Sequence, residues 1–363
     1  MNGKTAKYKE ATFATELLRW NKKKNNRQMP WKGEKDPYKI WLSEIILQQT
    51  RVEQGLNYYQ KFIKAFPDIH QLANAEDNKA FKLWEGLGYY SRCKNLLITA
   101  RHIAKERNGK FPDKYEEIIN LKGIGAYTAA AISSFAFNLP YAVVDGNVFR
   151  VIARVFGISK PTDAAEGKKF FTALADKLLD KRQPGIYNQA IMDFGAVICK
   201  PLSPLCDECV FKKSCFAFQH DKIRELPVKL KKITVKKRWF NYLVLEYKNE
   251  IFIRERLKKD IWQHLFEFYL IEIEKHEKVN SVVEMALKAK LLKDKKFTIV
   301  NISPVLKQLL SHQLISSQFI HIQLSSKPGK IENYAFVPKE NLKNYPFPKL
   351  INQYINGSFR EMK

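Results

Sequence analysis

The hydrophobic pattern of this chain changes near Cys215, and that change constrains the fold more than any other feature. Before it, apolar residues recur at the three- and four-residue spacing of amphipathic helices. After it, short runs rich in β-branched and aromatic residues are typical of strands. We therefore predict an all-α domain over residues 1–217, a basic linker over 218–237 and a smaller α+β domain over 238–363.

Individual elements follow from the same pattern. One helix is expected around the apolar stripe Phe13, Leu17 and Trp20, and another begins at the capping pair Asp36-Pro37. Further helices are expected over 55–65, 78–85, 92–107, 113–120, 126–137, 147–157, 167–181, 186–198 and, between the strands, 279–291. Strands are expected over Trp239–Tyr247, Ile251–Arg256, Phe268–Ile273, Phe297–Ile302 and Phe319–Leu324.

Basic side chains are in large excess, with 63 Lys and Arg against 37 Asp and Glu and a formal charge of +26. Such a charge favours a polyanionic partner, with nucleic acid ahead of an anionic membrane. A lysine-rich proteome encoded by an AT-rich genome is the alternative explanation. The first residues lack the apolar core of a signal peptide, and no apolar run is long enough to span a bilayer. We expect a cytoplasmic protein without disulfide bonds or a membrane partner.

Four cysteines lie within seventeen residues in the pattern C-x6-C-x2-C-x5-C, namely Cys199, Cys206, Cys209 and Cys215. Zinc ribbons usually have two C-x2-C pairs, whereas this segment has one. An iron–sulfur cubane is larger than a single ion and tolerates unequal loops between its four ligands. The spacing predicts metal binding and leaves zinc or iron–sulfur open, with four unrelated buried cysteines as the remaining alternative.

A glycine-rich turn, Leu121-Lys122-Gly123-Ile124-Gly125, separates two predicted helices. Gly123 and Gly125 permit positive φ and close backbone approach, and the second helix begins directly afterwards. Free N–H groups and the positive end of the helix dipole then suit a DNA phosphate. An ordinary tight turn between helices explains the same residues.

Two carboxylates occur where carboxylates are uncommon. Glu44 is the only one in the apolar segment 38–50, and burial there would raise its pKa and let it act as a general acid. A salt bridge from an unseen Lys or Arg is the alternative. Asp145 ends an apolar run before Gly146 and a helix, so it is also a candidate N-cap. One protonated and one anionic carboxyl is the pair that glycosidic cleavage requires.

The turn LKGIG, the segment VVDGN and the cysteine spacing together resemble the helix–hairpin–helix DNA glycosylase superfamily with a [4Fe-4S] cluster. Within it, PWKGEKDPYKIWLSEIILQQTRV, WEGLGYYSR and YNQAIMDFGAVIC resemble the adenine DNA glycosylase (MutY) family. The resemblance is strong over residues 13–217 and weaker to about residue 320. It implies two helical modules with an iron–sulfur cluster loop, followed by a Nudix-like domain.

That resemblance implies roles for individual residues. Glu44 protonates adenine at N7, and Asp145 stabilises the oxocarbenium-like sugar directly or through a transient covalent bond. Tyr127 and Asn147 help to orient the sugar and the nucleophile. The adenine pocket is implied to include Arg27, Trp31, Leu47 and Gln189, and the duplex wedge Gln49 and Tyr89. As residues alone, Trp31 and Leu47 are equally explained as core, and Gln49 and Tyr89 as surface. Bifunctional relatives have Lys where this chain has Tyr127, and a phenol forms no Schiff base, so a monofunctional enzyme is implied.

The C-terminal part resembles the Nudix-like domain with which this family recognises 8-oxoguanine. The stretch 261–268 is its landmark, and no G-x5-E-x7-R-E-x2-E-E box follows, so pyrophosphatase activity is not expected. Leu310-Ser311-His312 lies where the family often has Phe-Ser-His, which makes Ser311 and His312 candidate lesion contacts. A loop on an interdomain surface is the alternative.

We expect a monomer that binds double-stranded DNA, removes adenine opposite 8-oxoguanine or guanine, and is associated with the nucleoid through that binding. A thymine or damaged-pyrimidine glycosylase is the nearest rival. A non-catalytic iron–sulfur DNA-binding or redox protein is the rival from another class, and the pair Glu44 and Asp145 counts against it.

Overall fold

The computed structural model describes residues 3–230, 234–275, 277–288, 292, 296–327 and 333–358. Contacts divide the chain into two compact units. The first contains residues up to 74 together with 95–230, and the second contains 75–94 together with the described residues from 234 onward. The predicted bounds lay at residues 217 and 237. In the structure the first unit continues to residue 230, and residues 75–94 belong to the second unit.

The first unit is helical, as predicted. Its helices, with those of residues 75–94 included in chain order, are α1 (Gly3–Lys24), α2 (Pro37–Leu47), α3 (Val52–Ala65), α4 (Ile69–Ala73), α5 (Asp77–Trp84), α6 (Tyr90–Glu106), α7 (Tyr115–Ile119), α8 (Ala126–Phe137), α9 (Gly146–Phe156), α10 (Ala165–Leu178), α11 (Pro184–Val197) and α12 (Phe216–Gln219). A single 3-10 turn, Cys206–Glu208, precedes α12. No helix in the described part of the chain is both long and apolar enough to cross a membrane.

The core of this unit forms where α1, α9 and α11 meet. Trp20 packs edge-on against Phe194, with ring centroids 4.9 Å apart, and Phe13 stacks on Phe211 at 4.7 Å. Burying such aromatic side chains supplies most of the stabilisation of a helical core, because apolar area removed from water is worth about 25 cal/mol per Å². The apolar stripe predicted for the first helix is therefore a core stripe.

The segment predicted as a linker over 218–237 is only partly one. Leu226 is buried in the helical core, and the Val228 carbonyl accepts a hydrogen bond from Thr162 N at 3.0 Å. A few apolar side chains in this segment therefore pack into the first unit, although many of their neighbours in the sequence are lysines and arginines. Residues 231–233 lie outside the described residues, and the first strand begins at Lys236.

The second unit is built on a mixed eight-stranded sheet. Its strands and helices are β1 (Lys236–Tyr247), β2 (Glu250–Glu255), β3 (Phe266–Glu267), β4 (Tyr269–Ile273), α13 (Val279–Lys288), β5 (Phe297–Ile302), β6 (Leu306–Leu309), β7 (Gln313–Leu324), β8 (Tyr334–Pro338) and α14 (Lys349–Ser358), with a 3-10 turn at Lys339–Asn344. The long strands β1 and β7 pair in parallel from Lys236 opposite Gln313 to Glu246 opposite Gln323. The other strand pairs are antiparallel.

Alternate residues of β1 and β7 point to opposite faces of the sheet, and each face is covered by a helix. Leu243 and Ile320 belong to a cluster with Val282 of α13. Phe319 instead stacks on Tyr354 of α14, with ring centroids 4.3 Å apart. The sheet is thus buried on both sides, which explains the nearly continuous apolar runs of these strands.

Residues 75–94 belong to this second unit through specific contacts. Lys82 Nζ donates to the Tyr345 carbonyl at 3.0 Å, and Phe347 N donates to Glu85 Oε1 at 2.7 Å. The Phe81 ring lies 5.5 Å from the His264 ring. Nothing in the local sequence of α5 distinguishes it from the other amphipathic helices, so only these long-range contacts reveal where it packs.

Several short elements were not predicted. The two strands β6 and β8 have four and five residues, and α14 lies beyond the last predicted strand. β7 begins at Gln313, six residues before the predicted Phe319, because its first half is polar yet pairs with β1 and β6. The predicted helix 279–291 is described as Val279–Lys288, and residues 289–291 lie outside the described residues.

Candidate active site

Glu44 occupies the buried face of α2. The helix begins as predicted, with Asp36 accepting a hydrogen bond from Tyr38 N at 2.9 Å and Pro37 in the first turn. Glu44 is 6% exposed, and burial raises its pKa to about 7, opposed by a hydrogen bond from Tyr127 and assisted by the charge of Asp145. Among the described residues it has no ion pair. The described residues therefore do not support the alternative that Lys or Arg forms a salt bridge with Glu44.

Asp145 is the N-cap of α9. Its Oδ1 accepts from Val148 N at 2.8 Å, and its Oδ2 accepts from Asn147 Nδ2 at 2.7 Å. Burial raises its pKa above the ordinary value, while these two hydrogen bonds and the charge of Arg150 act in the opposite direction. The capping geometry leaves the carboxyl anchored at the positive end of a helix, which favours its anionic form.

Tyr127 lies near the start of α8 and lines the same cavity as both carboxyls. Its hydroxyl hydrogen-bonds to Glu44 and lies 3.7 Å from Met192 Sδ. Burial, together with the charges of Glu44 and Asp145, raises the pKa of Tyr127 well above its ordinary value, so the phenol keeps its proton. Tyr127 is thus bonded to one of the two carboxyls and lies within the electrostatic influence of the other.

These side chains line a cavity of about 680 Å³. Its walls come from the segment before α2, from α2 itself, and from the beginnings of α8 and α9 and the middle of α11. Of the residues singled out from the sequence, the cavity contains Arg27, Trp31, Glu44, Leu47, Gln49, Gly125, Tyr127, Asp145, Asn147 and Gln189. A cavity of this size accommodates a purine with part of its sugar.

Trp31 and Leu47 were explained either as pocket or as core residues, and Gln49 either as a wedge or as a surface residue. The structure gives the burial and the position of each. Trp31 is buried against Tyr59, with ring centroids 5.4 Å apart, and still lines the cavity. Leu47 is half-buried at the cavity wall. Gln49 is exposed and has a φ of 55°, a left-handed conformation that costs a non-glycine residue energy.

The glycine turn does not line the cavity except at Gly125. Gly123 has a φ of 79°, and a Cβ at this position would lie 2.6 Å from Asn95 Cβ, so only glycine fits. Lys122 is exposed, and its carbonyl accepts from Thr99 Oγ1 at 2.8 Å. The turn is therefore held rigidly against α6 while Lys122 faces solvent.

Two functional candidates escaped the sequence analysis. Arg150 is buried, and its Nη2 donates to Asn147 Oδ1 at 2.8 Å while its Nε donates to the Cys199 carbonyl at 2.7 Å. Asp193 is fully buried on α11 and pairs with Arg27 and Lys32. Asp193 is the only carboxylate in the apolar segment 187–199, which is the signal that identified Glu44.

The four cysteines line one cavity together with Arg154. Arg154 Nη1 lies 3.6 Å from Cys199 Sγ and donates to the Lys200 carbonyl at 2.7 Å, so it holds the start of the cysteine loop. In the described residues, no group of three or more His, Cys, Asp or Glu side chains is arranged to hold one metal ion. Four thiols that line one cavity are the donor set that an iron–sulfur cluster takes from a protein.

The remaining predicted site residues, Tyr89, Ser311 and His312, lie together in the second unit. A cavity of about 490 Å³ is lined by 86–91, 260–263 and 308–313. Within it the Tyr89 hydroxyl and Ser311 Oγ are hydrogen-bonded to each other, and His312 lies in the same wall. Tyr89 is 42% exposed and has a φ of 49°. The second predicted wedge residue thus has the same left-handed backbone as Gln49.

Comparison with known proteins agrees with this organisation. Residues 42–175 match the HhH-GPD superfamily of base excision DNA repair proteins, and residues 241–357 match the NUDIX domain. The adenine DNA glycosylase of Buchnera aphidicola subsp. Baizongia pistaciae is 39% identical over 261 residues, which cover 70% of this chain and 73% of that protein. The chain belongs to the adenine DNA glycosylase family.

A second relative and two solved structures extend the comparison. The adenine DNA glycosylase of Mus musculus is 38% identical over 216 residues, or 57% of this glycosylase and 42% of the mouse protein. A thermostable thymine-DNA glycosylase is 29% identical, with a TM-score of 0.54 over 59% of this chain and 98% of that one. An endonuclease III–DNA complex, at 19% identity and a TM-score of 0.50, shares the fold over 58% of this chain and 97% of that one.

The predicted family and fold class are therefore confirmed. This glycosylase has a helical helix–hairpin–helix domain followed by a Nudix-like domain, and it is an enzyme. The non-catalytic redox protein considered as a rival is excluded by this membership. The two matched regions, residues 42–175 and 241–357, lie on either side of the change from helical to strand-like pattern near Cys215.

Proposed function

We propose that this glycosylase hydrolyses the N-glycosidic bond of adenine mispaired with 8-oxoguanine or guanine in double-stranded DNA. The observation that supports this most directly is that Glu44 and Asp145 line one cavity together with Tyr127, which hydrogen-bonds to Glu44. The similar proteins are adenine DNA glycosylases, which supports adenine as the base.

Glu44 is the general acid. With a pKa raised to about 7 it holds a proton near neutral pH, and Tyr127 orients its carboxyl by hydrogen bonding. Protonating the purine ring at N7 withdraws electrons from the glycosidic bond and turns the base into a neutral leaving group.

Asp145 stabilises the positive charge that develops on the sugar as the base leaves. Asn147 Nδ2 and Val148 N hold its two oxygens from one side, so the carboxylate meets the sugar already oriented. Because position 127 is a tyrosine, no amine is available at this point for a Schiff base, and the enzyme is monofunctional.

The target base reaches the cavity by leaving the duplex, which costs a few kcal/mol of stacking. Gln49 and Tyr89 offset this cost by inserting into the space that the base vacates. Their left-handed backbones support this role, because strained non-glycine residues concentrate at functional sites. The turn at Lys122, Gly123 and Gly125 holds a DNA phosphate and so positions the duplex without selecting sequence.

Cys199, Cys206, Cys209 and Cys215 hold a [4Fe-4S] cluster, which has a structural role. The cluster fixes the loop that Arg154 anchors through its contacts to Lys200 and Leu226. Protein purified without oxygen should be brown and contain about four irons per chain. Replacement of Cys209 by Ser should lower both the iron content and the melting temperature, whereas replacement of the buried Cys93 by Ser should leave the iron content unchanged. Colourless protein with one zinc per chain contradicts the assignment.

Recognition of 8-oxoguanine belongs to the second unit. Ser311 and His312 offer a hydroxyl and an imidazole at the wall that also contains Tyr89, and the bond between Tyr89 and Ser311 orients the hydroxyl. The double variant Ser311→Ala/His312→Ala should lose about ten- to a hundredfold of its preference for 8-oxoguanine over guanine opposite adenine.

The measurement for that variant is the ratio of single-turnover rates on the two duplexes. Ser325→Ala is a suitable control, because Ser325 is exposed and bonds only to the Lys296 carbonyl at 2.8 Å among the described contacts. An unchanged ratio in the double variant would move lesion recognition elsewhere in the Nudix-like domain.

The function itself is tested with duplexes containing adenine opposite 8-oxoguanine, guanine or thymine. Adenine should be released fastest opposite 8-oxoguanine, strand breaks should appear only after alkali treatment, and borohydride should trap no covalent complex. Preferential release of thymine from a thymine–guanine mispair, with adenine left in place, would assign the enzyme to the specificity of the thymine-DNA glycosylase instead.

A further inference from the structure

Asp193 is a fully buried carboxylate that takes no part in the mechanism above, yet it contacts side chains at the same cavity. Its Oδ1 accepts from Arg27 Nη1 at 2.9 Å and from Gln189 Nε2 at 3.0 Å. Its Oδ2 accepts from Asn25 Nδ2 at 2.8 Å and from Lys32 Nζ at 3.0 Å. A carboxylate has about four acceptor positions, so the four donors saturate it.

The supporting residues hold this arrangement in place. Asn25 Oδ1 accepts from Arg27 N at 3.1 Å, and Lys32 Nζ also donates to the Arg27 carbonyl at 2.8 Å. Arg27 and Lys32 thus both bind the buried Asp193 carboxylate, and Lys32 also binds the backbone of Arg27. A buried carboxylate with four donors is held firmly in place, because rotating it would break hydrogen bonds to two cations.

Gln189 and Arg27 are the members of this network that line the cavity, and only Gln189 presents an amide there. Its amide has a nitrogen that only donates and an oxygen that only accepts, and their partners decide which is which. Because the Asp193 carboxylate only accepts, the nitrogen must face Asp193. Gln189 Oε1 is then left on the other side of the amide, and no described residue donates a hydrogen bond to it.

We infer that Asp193 is a positioning residue that fixes the amide of Gln189 so that its oxygen accepts a hydrogen bond from the exocyclic amine of the bound purine. Asp193 thereby contributes to the selection of a 6-aminopurine over a purine that has hydrogen or an oxo group at that position. The inference rests on the proposed function and adds a residue that determines specificity.

Removing the charge of Asp193 reverses the electrostatics around the amide. In Asp193→Asn, Arg27 and Lys32 lose their carboxylate and become the strongest hydrogen-bond donors beside Gln189. The amide oxygen then turns toward these cations, and its nitrogen faces the cavity. A nitrogen donor suits an oxo group and opposes an amine, so the preference for adenine decreases.

The test uses the full-length protein with its cluster and three duplexes that differ in the target base opposite 8-oxoguanine: adenine, hypoxanthine or unsubstituted purine. The rate ratio of adenine to each analogue is measured under single-turnover conditions, so that inactive protein cancels. Both ratios should fall about tenfold in Asp193→Asn relative to wild type, the contribution of about one hydrogen bond.

Gln189→Leu should lower the adenine-to-purine ratio to the same extent without leaving a buried cation unpaired. The double variant should show no further decrease, because both changes remove one interaction. Asp176→Asn is the control for the substitution itself, since Asp176 accepts a hydrogen bond from Ala142 N at 3.2 Å and does not line the cavity. If Asp193→Asn does not fold, Asp193→Asn combined with Lys32→Gln restores the charge balance and should show the same loss of preference.

The inference is overturned if Asp193→Asn slows all three substrates equally and keeps both ratios within about twofold of wild type. It is also overturned if Gln189→Leu slows the release of adenine and of purine by the same factor. The exocyclic amine would then contribute nothing to the interaction with Gln189. Failure of the wild-type enzyme to release adenine at all would instead contradict the proposed function, so the two failures are distinguishable.

Discussion

Replacing Glu44 with Gln should lower the single-turnover rate of adenine release by about 10²–10⁴-fold, the usual contribution of a general acid. Glutamine keeps the shape of the side chain and its contact with Tyr127 but has no proton to transfer. The affinity for duplex DNA should stay close to that of wild type. Glu53→Gln is a matched control, because Glu53 is exposed on the next helix, α3, and should retain the wild-type rate.

The pH dependence provides an independent measurement. Only the protonated form of Glu44 acts as an acid, so the wild-type rate should fall as pH rises through about 7, the pKa that burial gives this carboxyl. The residual rate of Glu44→Gln should lack this decrease. A variant that retained more than about a tenth of the wild-type rate would show that another group delivers the proton.

The same pKa shift affects stability. The folded state favours protonated Glu44, so its stabilising contribution is complete below the unfolded pKa of about 4.5 and is lost as pH rises through about 7. Glutamine has no charge to bury. The free energy of unfolding of Glu44→Gln, relative to wild type, should therefore increase between about pH 5 and about pH 8, as measured by chemical denaturation.

Asp145→Asn should lower adenine release by about 10²–10³-fold, the scale of losing one preorganised electrostatic contact to a charged transition state. Asparagine caps helices as well as aspartate does, so α9 should remain intact and the melting temperature should change little. What disappears is the negative charge that stabilises the sugar cation. The variant therefore separates the capping role of Asp145 from its chemical role.

Asp36→Asn is the matched control for this substitution. Asp36 caps α2 through Tyr38 N in the way that Asp145 caps α9 through Val148 N, and it does not line the cavity. It should retain the wild-type rate. Equal loss of activity in both variants would mean that helix capping, and not charge at the sugar, explains the effect of Asp145.

Local sequence was sufficient for most helices and long strands, and for selecting Glu44 and Asp145 as candidates. The capping pair at residues 36–37, the apolar α2 around Glu44 and the helix that follows Asp145 depend on side chains within one or two turns of each other. Hydrophobic period and capping chemistry act over such distances, so they can be recognised in one chain. Short polar strands such as β6 lack any such period, because their pairing partners rather than their own residues stabilise them.

What the sequence alone determined was the order of a helical and a mixed domain, the cysteine set, and the candidates Glu44 and Asp145. Tertiary structure alone decided that Tyr127 touches Glu44, that residues 75–94 pack with the strands, and that Tyr89 meets Ser311. It also brought Asp193 into contact with Arg27, 166 residues away in the chain, and with Gln189, both of which line the cavity. Contacts between distant segments depend on how whole elements pack, and a buried charge is tolerated only where that packing brings its partners within hydrogen-bonding distance.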